Sequence, residues 1–370
     1  MRTIDTVKVI IHLQEDRDNP IVRRFLERGG KEIIECRDDH ELEAAVESVK
    51  HRGISSKEAV ILKKFQGRIF QKCPGSPGVI CCNYLLLNIG FNCLYNCTYC
   101  YLNYYLNSYG LIQFINTETF FQDIWDMVRE NRNTVYRIGT GEYTDSLMFD
   151  DVTGIGASLI TRAARHRNLF IELKTKSDNI RHLLDIGEKG NAVLAWSLNT
   201  TRNIDLYEGG SASLEKRLES AAAACGAGYL IAFHFDPIIT SDGNVEEYLE
   251  VVDYIFKKVD PERVAWISLG CFRYSHGFKE IIREVFPGQN LTTAEMFPGP
   301  DGKFRYLKKT RVAAYTAMLD RIRSHTHAPF VYLCMENEFV WRDVFKVEYR
   351  SSEDMERAFS SHLAKKFLDE

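Results

Sequence analysis

Short apolar segments of strand length alternate with helix-length segments through the middle of this 370-residue chain. That alternation restricts it to a parallel α/β architecture. Strands are expected at 84–89, 135–140, 169–174, 192–198, 229–235 and 264–269. Helices are expected at 117–131, 152–165, 178–189, 211–225, 245–259 and 275–285, with Asp178 and Ser211 as N-caps. Six such units make a partial, six-stranded (β/α)6 relative of the eight-stranded barrel. A doubly wound sheet shows the same alternation, so the pattern alone leaves both open. Residues 1–75 read as a small N-terminal α/β lobe, with strands at 7–13, 32–35 and 59–63 and a helix at 20–28. The Pro- and Gly-rich run from Cys73 to Gly78 marks its exit. The barrel then occupies 76–290. Residues 291–370 form an extension: the stretch 287–305 fits a hairpin, followed by a helix at 310–324, a strand at 330–333 and a charged helix from Ser352.

Composition narrows the function classes. With 45% hydrophobic and 26% charged residues the chain can bury a large core. A formal charge of −4 gives no support to a broad nucleic-acid surface, but a local basic groove remains compatible with it. No apolar run approaches the roughly 18 residues a spanning helix needs, so no membrane partner is expected and the protein reads as cytoplasmic. In a reducing compartment its ten cysteines read as ligands, reactive thiols or small buried residues rather than disulfides.

Three of those cysteines are grouped as Cys93-x-x-x-Cys97-x-x-Cys100, directly after the first barrel strand. Soft thiolates select zinc, copper(I) or iron–sulfur clusters. A structural zinc site wants four ligands, commonly as two separated pairs, and no downstream pair is present. Three thiolates on one short loop suit a [4Fe–4S] cluster with its fourth iron left open. The bland alternative is three buried thiols. Cys73, Cys81 and Cys82 are not read as a second cluster, because adjacent cysteines on a strand point to opposite faces.

The spacing, with an aromatic residue before the last cysteine, resembles the radical S-adenosylmethionine (SAM) superfamily. That resemblance implies that the open iron chelates SAM, whose reductive cleavage gives a 5′-deoxyadenosyl radical. The segment Cys97-Thr-Tyr99-Cys100-Tyr101-Leu102 is similar to the Cys-x-Tyr-Cys-Tyr-Leu of the spore photoproduct lyase family, which reverses a thymine–thymine photoproduct in DNA. The likeness continues down the chain. Thr175-Lys176 and Ser197-Leu198-Asn199 resemble the family's strand ends, implying SAM contacts for Lys176, Ser197 and Asn199, with Tyr99 beside them. Tyr101 is implied to pack on the loop or relay a hydrogen atom. Phe272-Arg273-Tyr274 and Arg305-Tyr306 resemble segments that meet the lesion, which makes Arg273, Arg305 and Tyr306 substrate-binding candidates. The implied partners are photolesion-bearing DNA and an electron donor such as flavodoxin or ferredoxin. Each residue also has an ordinary reading, as a strand-end turn, a salt bridge or a surface charge.

One position departs from the family. Where spore photoproduct lyases carry a hydrogen-donating cysteine in Ala-Cys-Thr-Ser-Asp, this chain has Gly139-Thr140-Gly141-Glu142-Tyr143-Thr144-Asp145. A carboxyl O–H is too strong a bond to quench a carbon radical as a thiol does. Gly-Thr-Gly-Glu instead resembles the Gly-Gly-Glu of other radical SAM enzymes, implying that Glu142 accepts a hydrogen bond from the SAM ammonium group. A replacement donor is then needed. Cys271, after the sixth strand, is the expected one, with Tyr143 and Cys334 behind it. The reading is a radical SAM lyase repairing a DNA photoproduct; the alternative is a radical SAM enzyme acting on another nucleotide, a peptide or a metabolite.

Overall fold

The computed structural model describes residues 1–67, 70–73, 75–106, 109–240 and 245–368. Pro74, inside the expected exit turn, lies outside them. A curled sheet of eight strands carries the molecule, in the order Phe330–Leu333, Val264–Cys271, Leu230–Ile238, Ala192–Ser197, Leu169–Thr175, Tyr136–Gly139, Leu85–Leu87 and Phe70–Lys72. Every neighbouring pair is parallel except the last, where Phe70–Lys72 runs antiparallel to Leu85–Leu87. The central strands are near-continuous apolar runs because both faces are covered. All six residues of Ala192–Ser197 are buried, and Trp196 and Trp266 are almost wholly enclosed. The six expected barrel strands are present. Phe330–Leu333, read from sequence as part of the extension, adds a seventh parallel strand beside Val264–Cys271.

The N-terminal lobe has its own five-stranded sheet, ordered Glu32–Cys36, Val9–Leu13, Ala59–Lys63, Leu111–Phe114 and Gly90–Phe91. Two of these strands come from beyond residue 75. Gly90–Phe91 precedes the cysteine loop and Leu111–Phe114 follows it, so the lobe grips the loop at both ends. The grip is close: a Cβ on Gly90 would lie 2.5 Å from the Ile112 carbonyl oxygen. At the far side, Arg273–Tyr274 and Phe297–Pro298 flank Phe304–Arg305 in a small antiparallel sheet, the expected hairpin with one extra strand.

Several helices differ from expectation for identifiable reasons. Asp39–His51 was not read as a helix, since its buried stripe is thin (Leu42 and Val49), yet the Asp38 carboxylate caps it by accepting from Glu41 N at 2.9 Å. The segment 152–165 divides at Gly154, whose φ of 65° ends Asp150–Thr153, and the Asp150 carboxylate then accepts from Gly156 N at 2.6 Å in Ile155–Ala163. Only Arg181–Leu184 of the segment 178–189 is helical, and Asp178 lies ahead of its cap position, Ile180. Ser213, not Ser211, caps Leu214–Gly226, because the Ser211 hydroxyl is engaged by Glu208 O and Arg217.

The barrel interior is polar at one level. The Glu172 carboxylate, 1% exposed, accepts from His234 Nε2 at 2.6 Å, Trp266 Nε1 at 3.0 Å and the Tyr84 hydroxyl. Burial by itself raises the pKa of this carboxyl. His234 beside it, by its proximity and hydrogen bond, with Lys174 and the Tyr84 hydrogen bond, outweighs burial and holds it at about 2, below its ordinary 4.5. A depressed carboxyl contributes stability that is fully present above pH 4.5 and is lost as pH falls towards 2. Glu172→Ala is therefore expected to cost about 3–5 kcal/mol in urea unfolding at neutral pH, because three buried donors lose their acceptor. The same variant should lose less stability than wild type between neutral pH and pH 3.

Candidate functional site at the barrel mouth

The loop from Cys93 to Cys100 is fixed from outside by backbone-directed polar contacts. Asn92 adopts φ 68°, uncommon for a residue with a Cβ. Its side-chain oxygen accepts from Cys93 N at 2.9 Å and from Lys57 Nζ at 2.6 Å, while its amide nitrogen donates to Gly110 O at 2.9 Å. Asn103 donates to Cys97 O at 3.1 Å. On the other side, Asn96–Cys97 pairs antiparallel with Glu208–Gly209, and Thr98 N donates to Tyr207 O at 2.8 Å. Burial pushes the Cys93 thiol up to about 12, with the Asp145 carboxylate adding to the shift, and burial raises Cys97 as well. A metal must therefore displace protons from these thiols. Among the described residues no three Cys, His, Asp or Glu side chains converge on the position of a single ion. A cubane makes a different demand, since each thiolate binds its own iron and the sulfurs stand apart. The three soft donors on one loop match that demand.

Under the loop lies a buried ion pair that sequence reading missed. Arg217, 0% exposed, donates from Nη2 to Glu208 Oε2 at 2.6 Å. Its other nitrogens reach Ser197 O and Ala212 O, both at 2.9 Å. Glu208 also accepts from the Tyr99 hydroxyl and from Asn199 Nδ2 at 3.4 Å. One guanidinium–carboxylate pair thus joins the cysteine loop, through Tyr99 and the Cys97 strand, to the end of the strand Ala192–Ser197 and to the segment before Leu214–Gly226. Burial opposes the charge on Lys176, but neighbouring Cys97 and Glu208 more than compensate and hold its pKa above the ordinary value. The Lys176 ammonium sits 5.6 Å from the Tyr99 ring centre, a cation–π arrangement. Asp145, also unassigned from sequence, accepts from Lys176 N and the Thr175 hydroxyl, each at 2.7 Å, and so fixes this strand end. Nothing in the identity of a helix arginine, or of an aspartate in a loop, signals these roles; only the fold brings them together.

The remaining expected site residues separate into two groups. Glu142 lies at the mouth, where the Tyr101 hydroxyl donates to its carbonyl oxygen at 2.8 Å and its carboxylate at 3.1 Å. Tyr101 is thereby held between the loop and the second strand end. Ser197 is buried, its carbonyl taken by Arg217. Asn199 is 0% exposed, its side-chain oxygen accepting from Tyr248 Oη at 2.7 Å and Asn203 Nδ2 at 3.0 Å, so it serves the strand-end turn. Arg273 reaches the mouth and is paired in two bonds with Asp236, at 3.0 and 3.3 Å. Arg305 is folded back on Asp301, at 2.6 and 2.8 Å, and ties the hairpin together. Tyr306 is buried beneath it, with its carbonyl accepting from Arg311. Cys271 does not face the mouth. Its thiol lies against Tyr315, with Glu336 and Arg311 next to it, and its amide donates to Tyr315 Oη at 2.7 Å, under the helix Lys308–His325.

A curled parallel sheet with a three-thiol loop over the carboxyl ends of its strands is the half-barrel of the radical SAM type. Within it, the chain belongs to the spore photoproduct lyase family, whose model matches residues 81–317. It is 24% identical over 206 residues to the spore photoproduct lyase of Geobacillus sp. (strain Y412MC61), and 26% identical over 210 residues to that of Bacillus subtilis (strain 168). Each match covers 55% of this chain and 60% of the relative, so the matched segment spans under two thirds of either relative's length. Among solved structures, spore photoproduct lyase complexed with dinucleoside spore photoproduct superposes with a TM-score of 0.74 at 19% identity, covering 88% of this chain and 98% of that one. A variant with bound AdoMet and the same dinucleoside gives the same TM-score, identity and coverage. At that identity the likeness is one of fold.

Removing the buried cation tests the frame. Arg217→Met should destabilise the metal-free protein by about 3–5 kcal/mol in urea unfolding, because Glu208 stays buried without a counter-charge. Adding Glu208→Gln should recover part of that loss.

Proposed function

We propose that this protein is a radical SAM lyase that reverses a thymine photoproduct in DNA. The observation that carries the reading is the thiol loop, held by the lobe on one side and by Arg217–Glu208 on the other, above a barrel mouth in a chain of the spore photoproduct lyase family. When bound to Cys93, Cys97 and Cys100, a [4Fe–4S] cluster with SAM supplies a one-electron cleavage that yields a 5′-deoxyadenosyl radical. The chain's own residues orient the reactants. Lys176 offers a cation for the SAM carboxylate, and Glu142 an acceptor for its ammonium group. Tyr99 and Tyr101 hold the loop against those two groups through Glu208 and Glu142. Arg273 and the hairpin wall the opposite side, where an extruded dinucleotide enters. The likeness to spore photoproduct lyases, one of them solved with dinucleoside spore photoproduct, supports a thymine photoproduct in DNA as the substrate, and an external one-electron carrier, a flavodoxin or ferredoxin, completes the reaction.

A second reading keeps the radical chemistry with a different substrate, because Glu142 stands where the family's thiol is expected. Anaerobic incubation of the reduced, reconstituted enzyme with dinucleotide photoproduct separates the two. Restored thymine supports repair; SAM cleavage without restoration favours the second reading. Glu142→Gln is expected to weaken SAM binding about tenfold, roughly 1.4 kcal/mol, by removing the charge from one acceptor. Equilibrium binding of SAM to the reconstituted protein measures it.

A further inference from the structure

The repair reading, on which this inference rests, leaves the product radical without its hydrogen donor. We propose that Cys334 is the thiol that returns a hydrogen atom to it. Cys334 follows Phe330–Leu333, and its amide donates to Leu269 O at 2.8 Å, so it extends the seventh strand's ladder onto the mouth. Tyr332, two residues before, hydrogen-bonds Ser268 inside the barrel, and the alternation of a strand puts Cys334 on that same interior face. Its sulfur accepts from Arg273 Nη2 at 3.4 Å, and Arg273 is the cation paired with Asp236. Lys174 has Glu142, Glu172, Asp236 and Cys334 as neighbours, which places the thiol on the same floor as the Glu142 end of the site.

The backbone marks this position too. Of the four non-glycine residues with positive φ among the described residues, three adjoin a cysteine: Asn83 after Cys82, Asn92 before Cys93 and Met335, at φ 56°, after Cys334. Such conformations persist where the surroundings over-determine a functional geometry. No positive-φ residue adjoins Cys271, whose thiol lies against Tyr315 of the helix layer while its carbonyl oxygen accepts from Arg273 at 3.3 Å. Burial and the Asp236 carboxylate also keep the Cys334 sulfur protonated at neutral pH, and the S–H form is the one able to give a hydrogen atom.

In the step itself the S–H bond of Cys334 breaks homolytically and a C–H bond forms on the thymine methylene radical, completing its methyl group. A thiyl radical remains on Cys334. One electron from the reducing carrier and one proton from solvent restore the thiol.

The test runs the reconstituted enzyme on dinucleotide photoproduct in D2O, where S–H has become S–D. Wild type and Cys271→Ala should both place solvent deuterium in the product methyl group; Cys334→Ala should lose it and form by-products, while still cleaving SAM. In the metal-free protein, dinucleotide photoproduct should slow alkylation of Cys334, read by mass spectrometry. Repair by Cys334→Ala with unchanged deuterium, or alkylation of Cys334 indifferent to the dinucleotide, overturns the assignment. Wild type that never restores thymine overturns the repair reading, and this assignment with it. A folding defect in Cys334→Ala is separated by Cys334→Ser, which should keep the Arg273 contact and the fold but donate poorly.

Discussion

The Arg217–Glu208 pair is the interaction on which the mouth of this half-barrel depends. The cysteine loop has almost no regular secondary structure of its own, only the two-residue pairing of Asn96–Cys97, and of its three cysteines only Cys97 is buried. Its position has to be imposed from below. A surface ion pair contributes little, since solvent screens it. Here both charges are enclosed, and each remaining lone pair or proton finds a partner on a different element: Tyr99 on the loop, Ser197 at a strand end, Ala212 before a helix. Burying the pair costs solvation, and the return is geometrical: one rigid fork sets the distance between the cysteines and the end of the strand Ala192–Ser197.

Above that frame the charges are arranged in levels. Deep in the barrel, Glu172 gathers His234, Trp266 and Tyr84. Nearer the mouth, Lys174, Asp236 and Arg273 form a second polar level that includes Cys334. Above it, Glu142 meets the loop through Tyr101 and Lys176 meets it through Tyr99. Each level compensates its own charge, which is how a parallel barrel with an apolar outer shell tolerates so many ionised groups inside. The N-terminal lobe completes the arrangement by holding Gly90–Phe91 and Leu111–Phe114 in its own sheet, so the loop cannot shift without breaking strand pairing.

Much of this was legible in the residues. The alternation of apolar strands and helices located all six barrel strands, and the cysteine spacing located the loop, because both signals are local and periodic. Contacts between distant segments were not legible. Phe330–Leu333 reads as a strand anywhere, and only tertiary pairing makes it the seventh of the barrel. Leu111–Phe114 was not read as a strand, being four residues long and bonded to a lobe some fifty positions earlier. The pairing of Arg305 with Asp301 and the hydrogen bond from Tyr248 to Asn199 were not legible either. The face that Cys271 presents was not legible: adjacent strand residues alternate sides, and the sequence does not say which side is the mouth. Arg217 and Glu208 carried no signal, since a buried arginine in a helix is spelled like an exposed one.

The central claim is that three thiolates of one loop hold a cluster with an iron open to SAM. Electron paramagnetic resonance of the anaerobically reconstituted, reduced protein tests it most directly. The account predicts a [4Fe–4S] signal that depends on Cys93, Cys97 and Cys100 and changes shape when SAM is added. A protein that binds no iron, or a cluster signal indifferent to SAM, would contradict it.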